Sequence, residues 1–154
     1  MAAKTWLFKH AASEEFRKVM LQVVANSRAL AGELSGYGFR VIGGGTDNHI
    51  VLLDLRPKKI TGKLFQDALE YVGITINKNM IPSDPEKPSV TSGVRIGTTS
   101  VSQRGLKEPE IRRIAAIMNK VAGAPEDRSV LDACRAEAME LISDFPLYPK
   151  GPLD

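Results

Sequence analysis

The stretch Ser92–Gly97, SGVRIG, reads as a short strand carrying one charge between two apolar side chains. Successive side chains of a strand leave on opposite faces, so Val94 and Ile96 share one face while Arg95 points from the other, between two glycines that leave room beside it. A sheet built on this strand has an apolar face to be covered and a second face presenting a guanidinium. Burying that group unpaired would cost several kcal/mol. A carboxylate ligand can accept its planar fork through two parallel charge-assisted bonds, but an Asp or Glu of the chain itself, or water at a sheet edge, serves as well.

Working outward, a second strand, HIVLLDL (49–55), ends near Pro57, and an extended FRVI segment (39–42) precedes it. Before these, Phe16, Val19, Met20, Val23, Val24, Leu30, Ala31 and Leu34 recur at three- and four-residue steps. They predict a long amphipathic helix capped by Ser13 and stopped at SGYG (35–38). A second helix runs through TGKLFQDALEYVG (61–73), with Thr61 as cap, Leu64, Phe65, Ala68, Leu69 and Val72 on one face, and Gly73 as stop. A short ITI strand (74–76) then leads into the polar NKN (77–79) and the proline-punctuated loop IPSDPEKP (81–88), whose prolines exclude regular pairing. After SGVRIG come two more helices, one opened by Pro109 and carrying Ile111, Ile114, Ala115, Met118 and Val121. The other is capped by Ser129 and carries Val130, Cys134, Ala138, Leu141 and Ile142, and the tail FPLYPKGPLD (145–154) is too rich in proline to extend it. Strands in hairpin-like succession with helices before and after predict one α+β domain over 1–154: a small, largely antiparallel sheet with helices packed over one face.

Composition narrows the function classes. With 43% hydrophobic and 25% charged residues, a 154-residue chain is expected to fold as a globular domain. The net charge of +3 is interleaved along the chain, with no basic stripe or aromatic platform for nucleic acid. No apolar run approaches the roughly 20 residues of a membrane span. The single Cys134 cannot form an internal disulfide and no Cys/His spacing suggests a metal, so a reducing, cytoplasmic setting is expected. The start, MAAKTWLFKHAAS, has basic residues and no acid before Glu14, and reads as an exposed or fraying helix start in preference to a transit peptide.

Among the polar clusters, GGGTDNH (43–49) could cradle a phosphate, but a strand follows it where a phosphate loop has a helix N-terminus. It reads better as a tight connection in which Asp47, Asn48 and His49 tie down turn backbone. His49 reads as structural, His10 offers it no nearby partner, and Asp54, before RPKK, is expected to be solvated and not paired with Asp47 as acid and base.

Along almost the whole chain these motifs resemble a known family. GGTDNH, TGK with its following helix, GITINKN, IPSD and TSGVRIGTTSVSQRG stand in the same order as in the C-terminal region of serine hydroxymethyltransferase. The start also fits, AAK followed by EEFRKVMLQVVANSRALAGEL being similar to the long helix by which that family enters its small domain.

The resemblance implies a pyridoxal-phosphate enzyme of the aspartate-aminotransferase fold type, which interconverts serine and glycine and passes a one-carbon unit to tetrahydrofolate. It implies that Arg95 binds the substrate α-carboxylate and that Asn79 lies near the folate pterin. The family's Schiff-base lysine sits in a TTHK segment of the large domain that this sequence does not contain, and Lys63 and Lys78 belong to other motifs. The chain is thus expected to hold no catalytic residue, to bind no cofactor tightly and to be inactive alone. It reads as a detached C-terminal domain awaiting a large pyridoxal-phosphate-binding domain, or alternatively as a stand-alone binding or regulatory module that pairs with a separate large domain or full-length enzyme. Apolar surface on the first helix would be covered by a second copy, giving a homodimer, or its first turns would fray. The family pattern is departed from at Thr99 (proline), Ser100 (alanine) and Gly43 (frequently serine), changes that bear on local rigidity and leave Arg95 untouched.

Overall fold

The computed structural model describes residues 2–146; the proline-rich tail beyond Pro146 lies outside the described residues. The elements run α1 (Ala2–Ala11), α2 (Glu14–Gly36), β1 (Arg40–Val41), β2 (Ile50–Asp54), α3 (Gly62–Val72), β3 (Asn77–Asn79), β4 (Gly93–Gly97), α4 (Thr99–Gln103), α5 (Glu108–Gly123) and α6 (Arg128–Ser143). The strands form one antiparallel sheet in the order β1-β2-β4-β3. This is the expected α+β architecture. No helix among the described residues is long and apolar enough to cross a membrane.

Local chemistry sets the helix ends. The Ser13 hydroxyl accepts from the Phe16 N–H at 3.2 Å, satisfying one of the donors that the first turn of α2 leaves open. Thr61 does the same for Leu64 at 3.2 Å in α3, and Gly73 ends that helix in the left-handed region at φ 94°. Thr61→Ala is expected to lower stability by about 1 kcal/mol, read as a shift in urea midpoint with unchanged m-value.

The apolar alternation of the strands then meets the helices. Val51 and Leu53 of β2 and Val94 and Ile96 of β4 bury their side chains against Leu30 and Leu34 of α2, Phe65, Leu69 and Val72 of α3, and Ile111, Ala115 and Met118 of α5. Leu131 and Cys134 bring α6 onto the outside of this cluster, where burial pushes the Cys134 thiol up and keeps it an inert core group. The opposite sheet face carries Ile50, Leu52 and Asp54 of β2 and Arg95 of β4.

Several sequence expectations are corrected. ITI (74–76) is not a strand. Ile74 N–H closes the end of α3 on the Leu69 carbonyl at 2.8 Å, and the polar NKN forms β3 instead, because its backbone lies in register with Gly93–Arg95. The exposed helix start read from the sequence is present as α1, on which His10 stacks at 5.2 Å on Trp6 and meets the edge of Phe16 of α2. Asp127, not Ser129, caps α6: its carboxylate accepts from the Ser129 and Val130 N–H groups. The five-residue α4 has no counterpart in the sequence reading. Asp54 is not solvated but fully buried, held there by Arg56 and Arg40.

Candidate functional site

The open face of the sheet is assembled by register. Arg95 stands directly opposite Leu52 of β2 on one side and Asn77 of β3 on the other, so the three side chains form a row across the sheet. Asn79 pairs with Gly93 and lies on the same face, a diagonal neighbour at about 7–8 Å by strand geometry. Its amide Nδ2 donates to the Met80 carbonyl at 2.6 Å, leaving Oδ1 as an acceptor toward the face. The structure therefore brings together Arg95 and Asn79, which lie 16 positions apart in sequence. Arg95 is exposed, and among the described residues no carboxylate comes within 4.0 Å of its guanidinium. Of the partners open to it from sequence, an Asp or Glu among the described residues is thus removed.

The acid that β2 places on this face is committed elsewhere. Asp54 accepts from Arg56 Nε at 3.0 and 3.1 Å, from Arg56 Nη2 at 2.8 Å, from the Arg56 backbone N–H at 3.0 Å, and from Arg40 Nη1 at 3.3 Å. The Arg56 side chain holds its carboxyl below the usual range despite burial. A carboxylate so satisfied has no capacity left for Arg95.

The glycine turn borders this face. An open concavity of about 870 Å³ runs between α2 and GGGTDNH and reaches Ile50 and Leu52, the latter being the neighbour of Arg95. Within the turn, Thr46 Oγ1 donates to the Ile50 carbonyl at 2.7 Å, Asn48 Oδ1 accepts from the Ile50 N–H at 2.8 Å, and the Ser27 hydroxyl of α2 donates to the Asn48 carbonyl. The Ser27 bond ties the turn to α2, and the other two close it on the start of β2, in keeping with the structural reading of TDNH. Asp47 differs, pairing with Arg28 of α2 at 3.3 Å, and the His49 ring is exposed while its carbonyl accepts from the Thr98 N–H. Gly43 has φ 78°, a conformation that serine adopts at a cost, so the glycine here relieves strain. Thr99 occupies the first position of α4, where proline is favoured, so its loss affects only pre-organisation of that short helix.

Three lysines are held in other surroundings. Lys63 Nζ lies 2.5 Å from Asp67 in an ion pair on the exposed side of α3. Lys58 bridges the Tyr37 carbonyl and Asn119 Oδ1 above the Phe39 ring. Lys78 lies in the row Val41, Leu53, Val94, on the sheet face opposite Arg95. No group of three or more His, Cys, Asp or Glu among the described residues could hold a metal ion.

Sequence reasoning missed Asn77 and Leu52 as neighbours of Arg95. The signal was present in NKN, whose two asparagines two apart must share a face once the segment is a strand.

The family model for serine hydroxymethyltransferase matches residues 1–118. A curated serine hydroxymethyltransferase from Myxococcus xanthus (strain DK1622) is 47% identical over 148 residues, covering 96% of this chain and 35% of that protein. The chain thus spans about a third of the length of this relative. The family-model match over residues 1–118 and the identity along nearly the whole chain show that it belongs to the serine hydroxymethyltransferase family.

Proposed function

We propose that this chain is the C-terminal domain of an enzyme that converts serine and tetrahydrofolate to glycine and methylene-tetrahydrofolate, and that it supplies the group that holds the amino acid. The observation that carries this reading is Arg95, exposed on an open sheet face with no carboxylate partner of its own among the described residues. Serine and glycine share an α-carboxylate, to which the guanidinium fork donates two parallel bonds that fix its plane. Because the contact is common to substrate and product, its work is orientation. Asn79, on the same face, offers its carboxamide to the folate. The pyridoxal phosphate and its lysine belong to the remaining two-thirds of the polypeptide, so this chain alone is inactive and retains no yellow cofactor. Trp6, Leu7 and Phe8 on α1 and Leu21 on α2 are more than half exposed, and that large domain is the partner that covers them. A cytoplasmic location belongs to the same proposal, supported by a lone, buried, unpaired cysteine.

The test is a titration of the chain with glycine, followed through the side-chain Nε resonance of Arg95. A dissociation constant of about a millimolar or weaker is expected, since one exposed arginine competes with water. Followed through the backbone amides of Asn77 and Asn79, the glycine response should vanish in Arg95→Ala, and Arg95→Lys should not restore it, because an ammonium lacks the fork. No shift at Arg95 in the parent chain, or equal binding by Arg95→Ala, overturns the assignment.

A further inference from the structure

Two glycines flank Arg95 on its own face, Gly93 and Gly97, and the structure gives them different reasons to exist. A Cβ at Gly93 would lie 2.4 Å from Ile81 Cγ2, 2.6 Å from the Leu53 carbonyl oxygen and 2.9 Å from that of Asn79. The fold itself forbids a side chain there. Gly97 is the reverse case: its nearest neighbour to a Cβ would be the His49 carbonyl oxygen at 3.9 Å, ordinary contact distance, and its φ is not in the left-handed region. It lies in regular register opposite Ile50 and is exposed. A strand position that is open, unstrained and in register favours almost any residue over glycine. Nothing within the described fold requires its absence of a side chain.

We infer that Gly97 is a specificity-determining residue: it keeps clear the space beside Arg95 that the carboxylate-bearing ligand occupies. The inference rests on the reading of Arg95 as the carboxylate arginine. Residues 95 and 97 share a face two positions apart, so a side chain at 97 would stand on the ligand's side of the sheet, along the strand from the guanidinium. The ligand class is a small α-amino carboxylate, whose other substituents must pass close to the strand while its carboxylate meets the fork. Glycine at 97 lets the backbone itself form that wall.

The experiment compares the parent chain with Gly97→Ala and Gly97→Val by thermal unfolding and by the Arg95 Nε titration with glycine. Both variants are expected to melt at or above the parent temperature, since removing a strand glycine reduces the freedom of the unfolded chain. Glycine binding should weaken by about tenfold for alanine, the scale of one misplaced methyl group in a fitted site, and further for valine. Lower melting temperatures in both variants would show that the fold needs this glycine and would overturn the inference. So would stable variants that bind glycine as well as the parent, which would leave the Arg95 assignment standing. A parent chain with no response at Arg95 removes both, and is recognised by the absence of any titration before a variant is made.

Discussion

Gly62→Ala and Gly93→Ala should each unfold the domain at urea concentrations the parent chain withstands, with expected losses of about 3 kcal/mol or more. Gly62 opens α3 where the helix docks on the segment leading into β4: its N–H donates to the Thr91 carbonyl at 2.8 Å, and that of Lys63 to Val90 at 2.9 Å. A Cβ at 62 would sit 2.0 Å from Thr91 Oγ1 and 2.4 Å from the Gly93 carbonyl oxygen. Rotation cannot free the hydroxyl without cost, since it donates to that same carbonyl at 2.9 Å from a fully buried position. The second contact is backbone of the central strand, so relief means displacing β4 or the start of α3. Gly93 is confined likewise, between carbonyls of both neighbouring strands, and the movable Ile81 methyl removes only one of its three conflicts. Such strain exceeds the usual cost of one extra methylene, because backbone on a sheet's central strand has nowhere to go. Urea melts followed by circular dichroism read the result. Either variant within about 0.5 kcal/mol of the parent would show that the close approach is not rigid.

These glycines also mark where a sequence is readable. Ser13 and Thr61 announced their helices because a cap acts on a donor three residues away, and Arg95 announced its face because alternation is a property of one strand. NKN did not announce itself as a strand, since Asn and Lys have little intrinsic preference for one and the pairing partner lies in SGVRIG, 14 or more positions on. Asp54 was misjudged for a related reason: its burial depends on Arg40 and Arg56 closing over it from different elements, which no local pattern encodes. Gly62, Gly93 and Gly97 look alike as letters and differ only in what surrounds them. The five residues of α4 are too few to show a helical period. Arg95 and Asn79 as site residues came from resemblance, and the register supplies the reason they can act together.

The second large effect concerns the charge buried at Asp54, and its pH dependence has a sign that separates it from ordinary packing. In the parent chain the Arg56 side chain lowers the folded-state pKa of Asp54 against the opposing effect of burial. Asp84 behaves alike: burial pushes it up, and the N–H groups of Ser92, Glu86 and Ile81 with the Ser92 hydroxyl outweigh that and hold it at about 2. Carboxylates lowered on folding contribute stability that is present above their unfolded pKa, near 4, and is lost as pH falls through the folded values. The parent should therefore weaken between about pH 4 and pH 2. Arg56→Met removes the Nε and Nη2 bonds and leaves the carboxylate buried with one backbone N–H and the longer contact to Arg40. Removing one partner of a fully buried pair costs about 3–5 kcal/mol, and the loss here falls below that range because Arg56 keeps 43% of its side-chain surface in water. With its main lowering cause gone, Asp54 keeps only the Arg56 backbone N–H and Arg40 to offset burial, and its folded pKa rises from the lowered parent position. Acidification removes from the parent a stabilisation that the variant lacks, so the variant's deficit relative to the parent is greatest at pH 7 and shrinks as pH falls toward 3. Urea midpoints of both proteins across that interval measure it. A deficit that stays constant with pH would mean that Arg56 acts through its aliphatic packing alone, and that Asp54 does not depend on it for its charge.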